Sequence, residues 1–125
     1  MIVQIEPRGV ARMPFIIHSG QSQSDPMDTK GWEPVAVQLP SVWTTANITF
    51  LAAEKFNGTY LPVYGPTATE TKVTTGTTAK TIVFTPTTIG DLDGLRFLKL
   101  RSGTEASPVN QAADRVVNML LKQGA

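Results

Sequence analysis

At 125 residues the chain has the length of one ordinary domain, and its 41 % hydrophobic content is enough to build a core. Only 17 % of residues are charged, the net charge is +1 and no Lys/Arg cluster occurs, which argues against nucleic acid or an anionic membrane as a partner. The absence of cysteine excludes disulfides, thiolate zinc sites and cysteine nucleophiles, and no apolar run reaches the ~20 residues of a membrane-spanning helix.

The first six residues, Met1-Ile2-Val3-Gln4-Ile5-Glu6, lack the basic start and long apolar middle of a secretory signal. Production in the cytoplasm as a soluble protein is therefore expected. The six alternate as a short strand, and Pro7 and Gly9 end it. Residues 1–12 read as an N-terminal arm and 13–125 as the folded domain. A strand by itself leaves N–H and C=O groups unpaired. The arm is therefore expected to add in trans to a sheet edge of a neighbouring molecule, with Ile2, Val3 and Ile5 as the assembly interface.

Residues 13–18 form a second apolar burst, with Pro14 near its start. Residues 19–32 are polar and turn-rich, a long connection. Residues 34–39 alternate, with Val35, Val37 and Leu39 on one face, and Pro40 stops them. Residues 47–53 and 59–64 flank Asn57-Gly58, a turn signal in which both residues tolerate positive φ. This predicts a hairpin, and Pro62 places its return strand at a sheet edge. Thr71 to Thr74 is a minor strand and Thr81 to Thr85 a clear one, closed by Pro86. Residues 87–94 read as a loop with an acidic turn. Residues 94–103 then predict a central strand with Leu98 and Leu100 inward and Phe97 covered by a neighbouring loop. The final segment, 111–122, fits a helix slightly better by pattern alone. The strand-rich context favours a strand from about Arg115.

The fold class that follows is all-β: a single antiparallel β-sandwich, jelly-roll-like or immunoglobulin-like, with an extended N-terminal arm. Its expected core is Ile16, Val35, Val37, Ile48, Phe50, Val63, Ile82, Phe84, Leu98, Leu100, Val117 and Met119.

No residue set forms a convincing chemical site. His18 is the one histidine, and its neighbour Ser19 would face the opposite side of a strand, so no catalytic dyad is expected. Asp91-Leu92-Asp93-Gly94 has the two-residue carboxylate spacing of calcium loops without the rest of such a loop. Trp32, Trp43, Tyr60 and Tyr64 can be read as an aromatic platform for a sugar ring. The competing reading is that Trp43 and Tyr64 plug the ends of the sandwich. Asn47-Ile48-Thr49 and Asn57-Gly58-Thr59 match a glycosylation pattern that turn and strand chemistry also explains. No catalytic residue, cofactor or metal is expected, and the chain reads as non-enzymatic.

The order of motifs does carry a resemblance. Val37-Gln38-Leu39-Pro40 is followed by Trp43-Thr44-Thr45-Ala46-Asn47-Ile48-Thr49-Phe50, the Asn57-Gly58 turn and Tyr60. Then come Leu100-Arg101-Ser102-Gly103-Thr104 and Pro108-Val109-Asn110-Gln111, the most specific pair. From about residue 15 to 121 this resembles a family of small structural proteins of tailed bacteriophages and prophages. Asn57-Gly58 stands where that family has an Asp-Gly turn. The hairpin also resembles that of discoidin-type sugar-binding domains. The first resemblance implies a virion protein, most specifically a head decoration or cement protein. Its partners would be other virion proteins, above all the major capsid protein, and it would be homo-oligomeric or multi-copy on the particle. The alternative is a carbohydrate- or receptor-binding module on the phage tail or head surface, using Trp43, Tyr60 and Tyr64.

Overall fold

A computed structural model of the chain describes residues 10–76 and 79–123. Among the described residues nine strands and one short helix follow in the order β1 (Val10–Ile17), β2 (Met27–Asp28), β3 (Glu33–Gln38), β4 (Ile48–Ala53), β5 (Leu61–Pro62), β6 (Lys72–Val73), β7 (Thr81–Val83), α1 (Pro86–Leu92), β8 (Phe97–Ser102) and β9 (Arg115–Lys122). One sheet has the strand order β1-β9-β3-β7 and the other β2-β8-β4-β5, with β6 also paired to β4. All pairings are antiparallel, and four of them nest. β1 pairs with β9, β2 with β8, β3 with β7 and β4 with β5. The chain is thus one long antiparallel ribbon, doubled back at the β4–β5 hairpin and rolled into two packed layers. That is the jelly-roll arrangement, and it decides between the two sandwiches the sequence allowed.

The core lies between the layers. Phe15, Ile17, Val37, Val117, Met119 and Leu121 come from the first sheet, and Ile48, Phe50, Leu98 and Leu100 from the second. Phe50 meets Phe84 edge-on, with ring centroids 5.9 Å apart. Three expected core residues sit differently. Ile16 faces outward, because Phe15 and Ile17 take the inward phase, with Phe15 opposite Val117. The other phase offers Val10, Pro14 and Ile16 together with the charged Arg12, so turning Phe15 and Ile17 inward removes more apolar surface from water and buries no charge. Val35 falls at a register shift between Pro34 and Ala36 against β9 and is half-buried. Ile82 lies opposite Val37, but β7 is an edge strand and leaves it partly exposed.

Four local readings are corrected. Helix α1 occupies Pro86–Leu92, where residues 87–94 were expected as a loop after Pro86. The Thr85 hydroxyl accepts from the Thr88 N–H at 3.2 Å, and Pro86 occupies the first turn, where its missing N–H costs nothing. Leu92 is buried beneath it. The hairpin joining β4 to β5 does not use positive φ at Asn57 or Gly58. Its turn closes by Gly58 N–H to Lys55 C=O at 2.9 Å, within a longer loop. Residues 19–32 are more than a connection: Ser24 bridges Ile17, Gln23 bridges Arg101, and β2 joins the second sheet. The first strand begins at Val10, so Val10, Ala11 and Arg12 are in the ladder with β9 rather than in an arm. Ile2, Val3 and Ile5 lie outside the described residues. The expected edge position of Pro62, the minor strand at Lys72 and Val73, and the C-terminal strand from Arg115 are all present.

Between β8 and β9 the chain turns a tight corner at Gly103, whose φ is +92°. The Gly103 N–H donates to Asn47 C=O at 2.7 Å, and the Val109 N–H returns to Ser102 C=O at 2.8 Å. A Cβ at Gly103 would stand 2.5 Å from the Ser107 carbonyl oxygen and 2.7 Å from the Val109 nitrogen. Gly20, with φ +79°, has open space where its Cβ would be. Gly20→Ala should therefore cost about 1 kcal/mol, the backbone term alone. Gly103→Ala should cost at least about 2 kcal/mol more, because backbone atoms must move. Urea denaturation of the two variants measures the difference.

Candidate functional site

The two motifs that carried the resemblance meet in space at this corner. Gln111 is almost completely buried, with every hydrogen-bonding group of its side chain engaged. Its Oε1 accepts from Thr44 N–H at 2.9 Å and from Arg115 Nε at 3.3 Å. Its Nε2 donates to Thr44 C=O at 3.0 Å and to Ser102 Oγ at 2.6 Å. Its backbone N–H donates to Gln21 C=O, and its C=O accepts from Gly20 N–H. One side chain thus ties the loop before β4, the end of β8 and the entry to β9 together. An amide suits this task because it presents donors and an acceptor in one plane.

Arg101 is the second buried polar anchor. It lies on the outer face of β8, 5 % exposed, opposite Thr49. Its Nη2 pairs with Glu70 Oε2, and its Nε donates to Thr49 Oγ1 at 3.0 Å. The Thr49 hydroxyl donates in turn to Gly103 C=O at 2.8 Å. Glu70 also accepts from the Glu105 N–H, and the Tyr64 hydroxyl donates to Glu105 Oε1 at 2.9 Å, which raises the Tyr64 pKa. The loop carrying Tyr64 and Glu70 is thereby fastened over the sheet. Among the described residues no buried side-chain nitrogen or oxygen lacks a partner. The polar groups of the motifs are spent on each other, and they hold a corner rather than present a reactive group. Strand alternation placed Arg101 correctly on the Phe97 face. Its burial was not foreseen, because the residue that covers it, Glu70, is 31 positions away.

The aromatic candidates are dispersed. Trp43 is buried and donates its Nε1–H to Ala46 C=O at 3.1 Å, so it is a core plug and not a sugar contact. Tyr64 is exposed and held by Glu105. Tyr60 donates to Phe56 C=O, with Lys99 Nζ 4.8 Å from its ring centroid. Trp32 is half-buried against the core. Among the described residues the paired rings, both edge-to-face, are Phe50–Phe84 and Phe56–Phe97, and neither contains one of these four. Phe56 supplies the loop cover expected over Phe97.

His18 faces Asp25, with Nε2 to Oδ2 at 2.9 Å. Both border an open polar groove of about 570 Å³ that also includes Gln21, Gln23 and Lys99. Asp91 accepts from Thr71 Oγ1 at 2.8 Å, and Asp93 caps α1 through its backbone N–H, which donates to Ile89 C=O. Among the described residues no three His, Asp or Glu side chains are grouped to hold a metal. Asn47 accepts from Thr75 N–H, and the Thr49 of its glycosylation pattern is buried. No helix in the described residues is long and apolar enough to cross a membrane.

No family model matches the chain, and no curated protein matches it. Among solved structures, the crystal structure of SPBc2 prophage-derived protein YomS is similar, with a TM-score of 0.54 at 16 % identity. The similarity covers 98 % of this chain and 99 % of that one, so the two share a fold over their whole length.

Two measurements test the polar contacts. Arg101→Met or Glu70→Met leaves one buried charge unpaired and should cost about 3–5 kcal/mol, while the double variant should cost less than the sum. Denaturation of the three variants closes that cycle. His18 has a raised pKa, first because Asp25 hydrogen-bonds it and then because of the Asp25 charge. A raised folded pKa means the pair's contribution is complete below the unfolded value near 6.5. It is lost as pH rises through the folded value. NMR titration of this one imidazole should show Asp25→Asn lowering its pKa, with a small stability change because both groups are exposed.

Proposed function

We propose that the chain is a non-enzymatic structural component of a bacteriophage or prophage-derived virion, seated on the head as a decoration or cement protein. The observation that carries this reading is the end-to-end correspondence of its fold with a prophage-derived protein. The sequence resemblance to phage structural proteins points the same way, and its most specific motifs are those that build the Gly103–Gln111 corner. A rigid sandwich whose polar residues are committed to internal bonds suits a part that adds surface and stiffness to a shell. Low net charge removes long-range repulsion between closely spaced copies. The partners in this reading are the major shell protein and further copies of the same chain.

A second reading, a carbohydrate- or receptor-binding module, is favoured by one feature. The polar groove of His18, Gln21, Gln23, Asp25 and Lys99 opens beside the Tyr60 ring. Glycan-array binding that disappears in Tyr60→Ala, with stability unchanged, supports it, and an array without hits removes it.

Quantitative mass spectrometry of purified particles tests the first reading. Hundreds of copies per virion are expected for a shell component. A dozen or fewer would move the protein to the neck or tail, and its absence from particles would overturn the virion assignment.

A further inference from the structure

Asn57-Gly58 lies in the loop between β4 and β5, where residues 54–59 are all exposed. The Gly58 N–H donates to Lys55 C=O at 2.9 Å, so residues 55–58 close a four-residue turn. Its type follows by elimination. Types I′ and II′ need positive φ at Phe56, and type II needs it at Asn57. Neither residue has positive φ. The turn is therefore type I, with Asn57 at its third position and a ψ of about 0° there.

An Asn-Gly pair is also the sequence most open to an internal reaction. The backbone nitrogen that follows the asparagine can attack its side-chain carbon Cγ and close a five-membered imide. Glycine permits this because it sets no side chain against the approaching group. Closure needs that nitrogen and Cβ to be nearly eclipsed about the Cα–C bond of Asn57, so that the reacting atoms meet. A ψ of about 0° eclipses the two backbone nitrogens instead and leaves Cβ about 120° away. The hydrogen bond that closes the turn also occupies the attacking nitrogen. In this conformation Asn57 does not cyclise.

The turn is held against the outer face of β8 by a few contacts. The Tyr60 hydroxyl donates to Phe56 C=O at 2.8 Å. The Phe56 ring meets Phe97 edge-on, with centroids 6.2 Å apart, and Lys99 Nζ stands 4.8 Å from the centroid of Tyr60. An exposed loop fastened this lightly opens locally far more often than the sheets behind it.

We propose that Asn57 is a self-modification site gated by this turn. When the Gly58 N–H leaves Lys55 C=O, the Gly58 nitrogen bonds to Asn57 Cγ and the Cγ–Nδ2 bond breaks. Ammonia leaves, carrying the proton lost from the Gly58 nitrogen. Water then opens the imide at either of its carbonyl carbons, leaving aspartate or isoaspartate at position 57, with no oxidation or reduction. The other asparagines, Asn47, Asn110 and Asn118, are followed by Ile48, Gln111 and Met119, whose side chains crowd the attack. Conversion lowers the formal net charge of +1 by one. Isoaspartate also lengthens the main chain by one carbon, so the 55–58 turn no longer closes in the same way. Phe56 and Tyr60 then lose their seat on β8, and Lys99, which borders the polar groove, loses its aromatic partner. The inference stands apart from the virion reading.

Peptide mass spectrometry of the full chain, incubated at neutral pH, follows the amide-to-acid mass change at each asparagine, and isoaspartyl methyltransferase labelling identifies the isomer. Asn57 is expected to convert ahead of the other three asparagines. In guanidinium chloride sufficient to unfold the chain its rate should rise at least roughly tenfold, because the turn no longer keeps the reacting atoms apart. Tyr60→Phe keeps the ring and removes the bond to Phe56 C=O, and should speed conversion of the native protein roughly two- to tenfold. Should that variant fail to fold, Phe56→Leu loosens the same turn from the Phe97 side. Asn57→Gln, which would need a larger ring, should abolish the signal at this position. Equal rates in native and unfolded protein would overturn the gate, as would unchanged native rates in both loosened variants. Earlier conversion at another asparagine would overturn the site.

Discussion

Completion of this fold waits on the placement of its last strand. β9 lies between β1 and β3, so the first sheet cannot exist until residues 115–122 are inserted into it. Nested pairing makes each strand's partner more distant in sequence the farther it lies from the β4–β5 hairpin. The entropy of closing these loops is met only when the layers pack, which ties formation of the core to completion of the topology. The alternating faces of β9 show what is gained. Val117, Met119 and Leu121 are fully buried, while the intervening residues face outward.

Long-range pairing needs a fixed register, and here buried polar residues supply it. A strand slipped by one position would turn its apolar face to water. Gln111 and Arg101 oppose such slips because their bonds are directional and their partners lie on distant segments. Their burial is tolerable because each polar atom has a partner. The Gly103 turn complements them, since backbone packs where any side chain would stand. Motifs that look like a recognition signature in a one-dimensional string are, in three dimensions, the fastening of a corner.

This division of labour bears on function. With the strongest polar groups committed internally, the outward features are modest: a polar groove near His18, a crevice beside β1, and exposed valines at Val10 and Val83 on the two edge strands of the first sheet.

Strands with a local signal were legible without any structure. Alternation marked β4, β7 and β8, and Pro62 announced an edge, because side-chain period and proline's missing N–H act within a few residues; β9, whose own pattern slightly favoured a helix, was placed by the strand-rich context around it. The inward set Ile48, Phe50, Leu98, Leu100, Val117 and Met119 was readable for the same reason. Helix α1 was also written locally, in Thr85 and Pro86, but its acidic end read as a turn. Contacts between distant segments settled the rest. Which of Phe15 and Ile16 turns inward depends on Val117 across the ladder. The burial of Arg101 depends on Glu70, and that of Trp43 on the carbonyl of Ala46 and the layers around it. The choice of jelly roll over the immunoglobulin order depends on pairings between opposite ends of the chain. These are interactions between residues far apart in sequence, and no local pattern encodes which distant partner will close them.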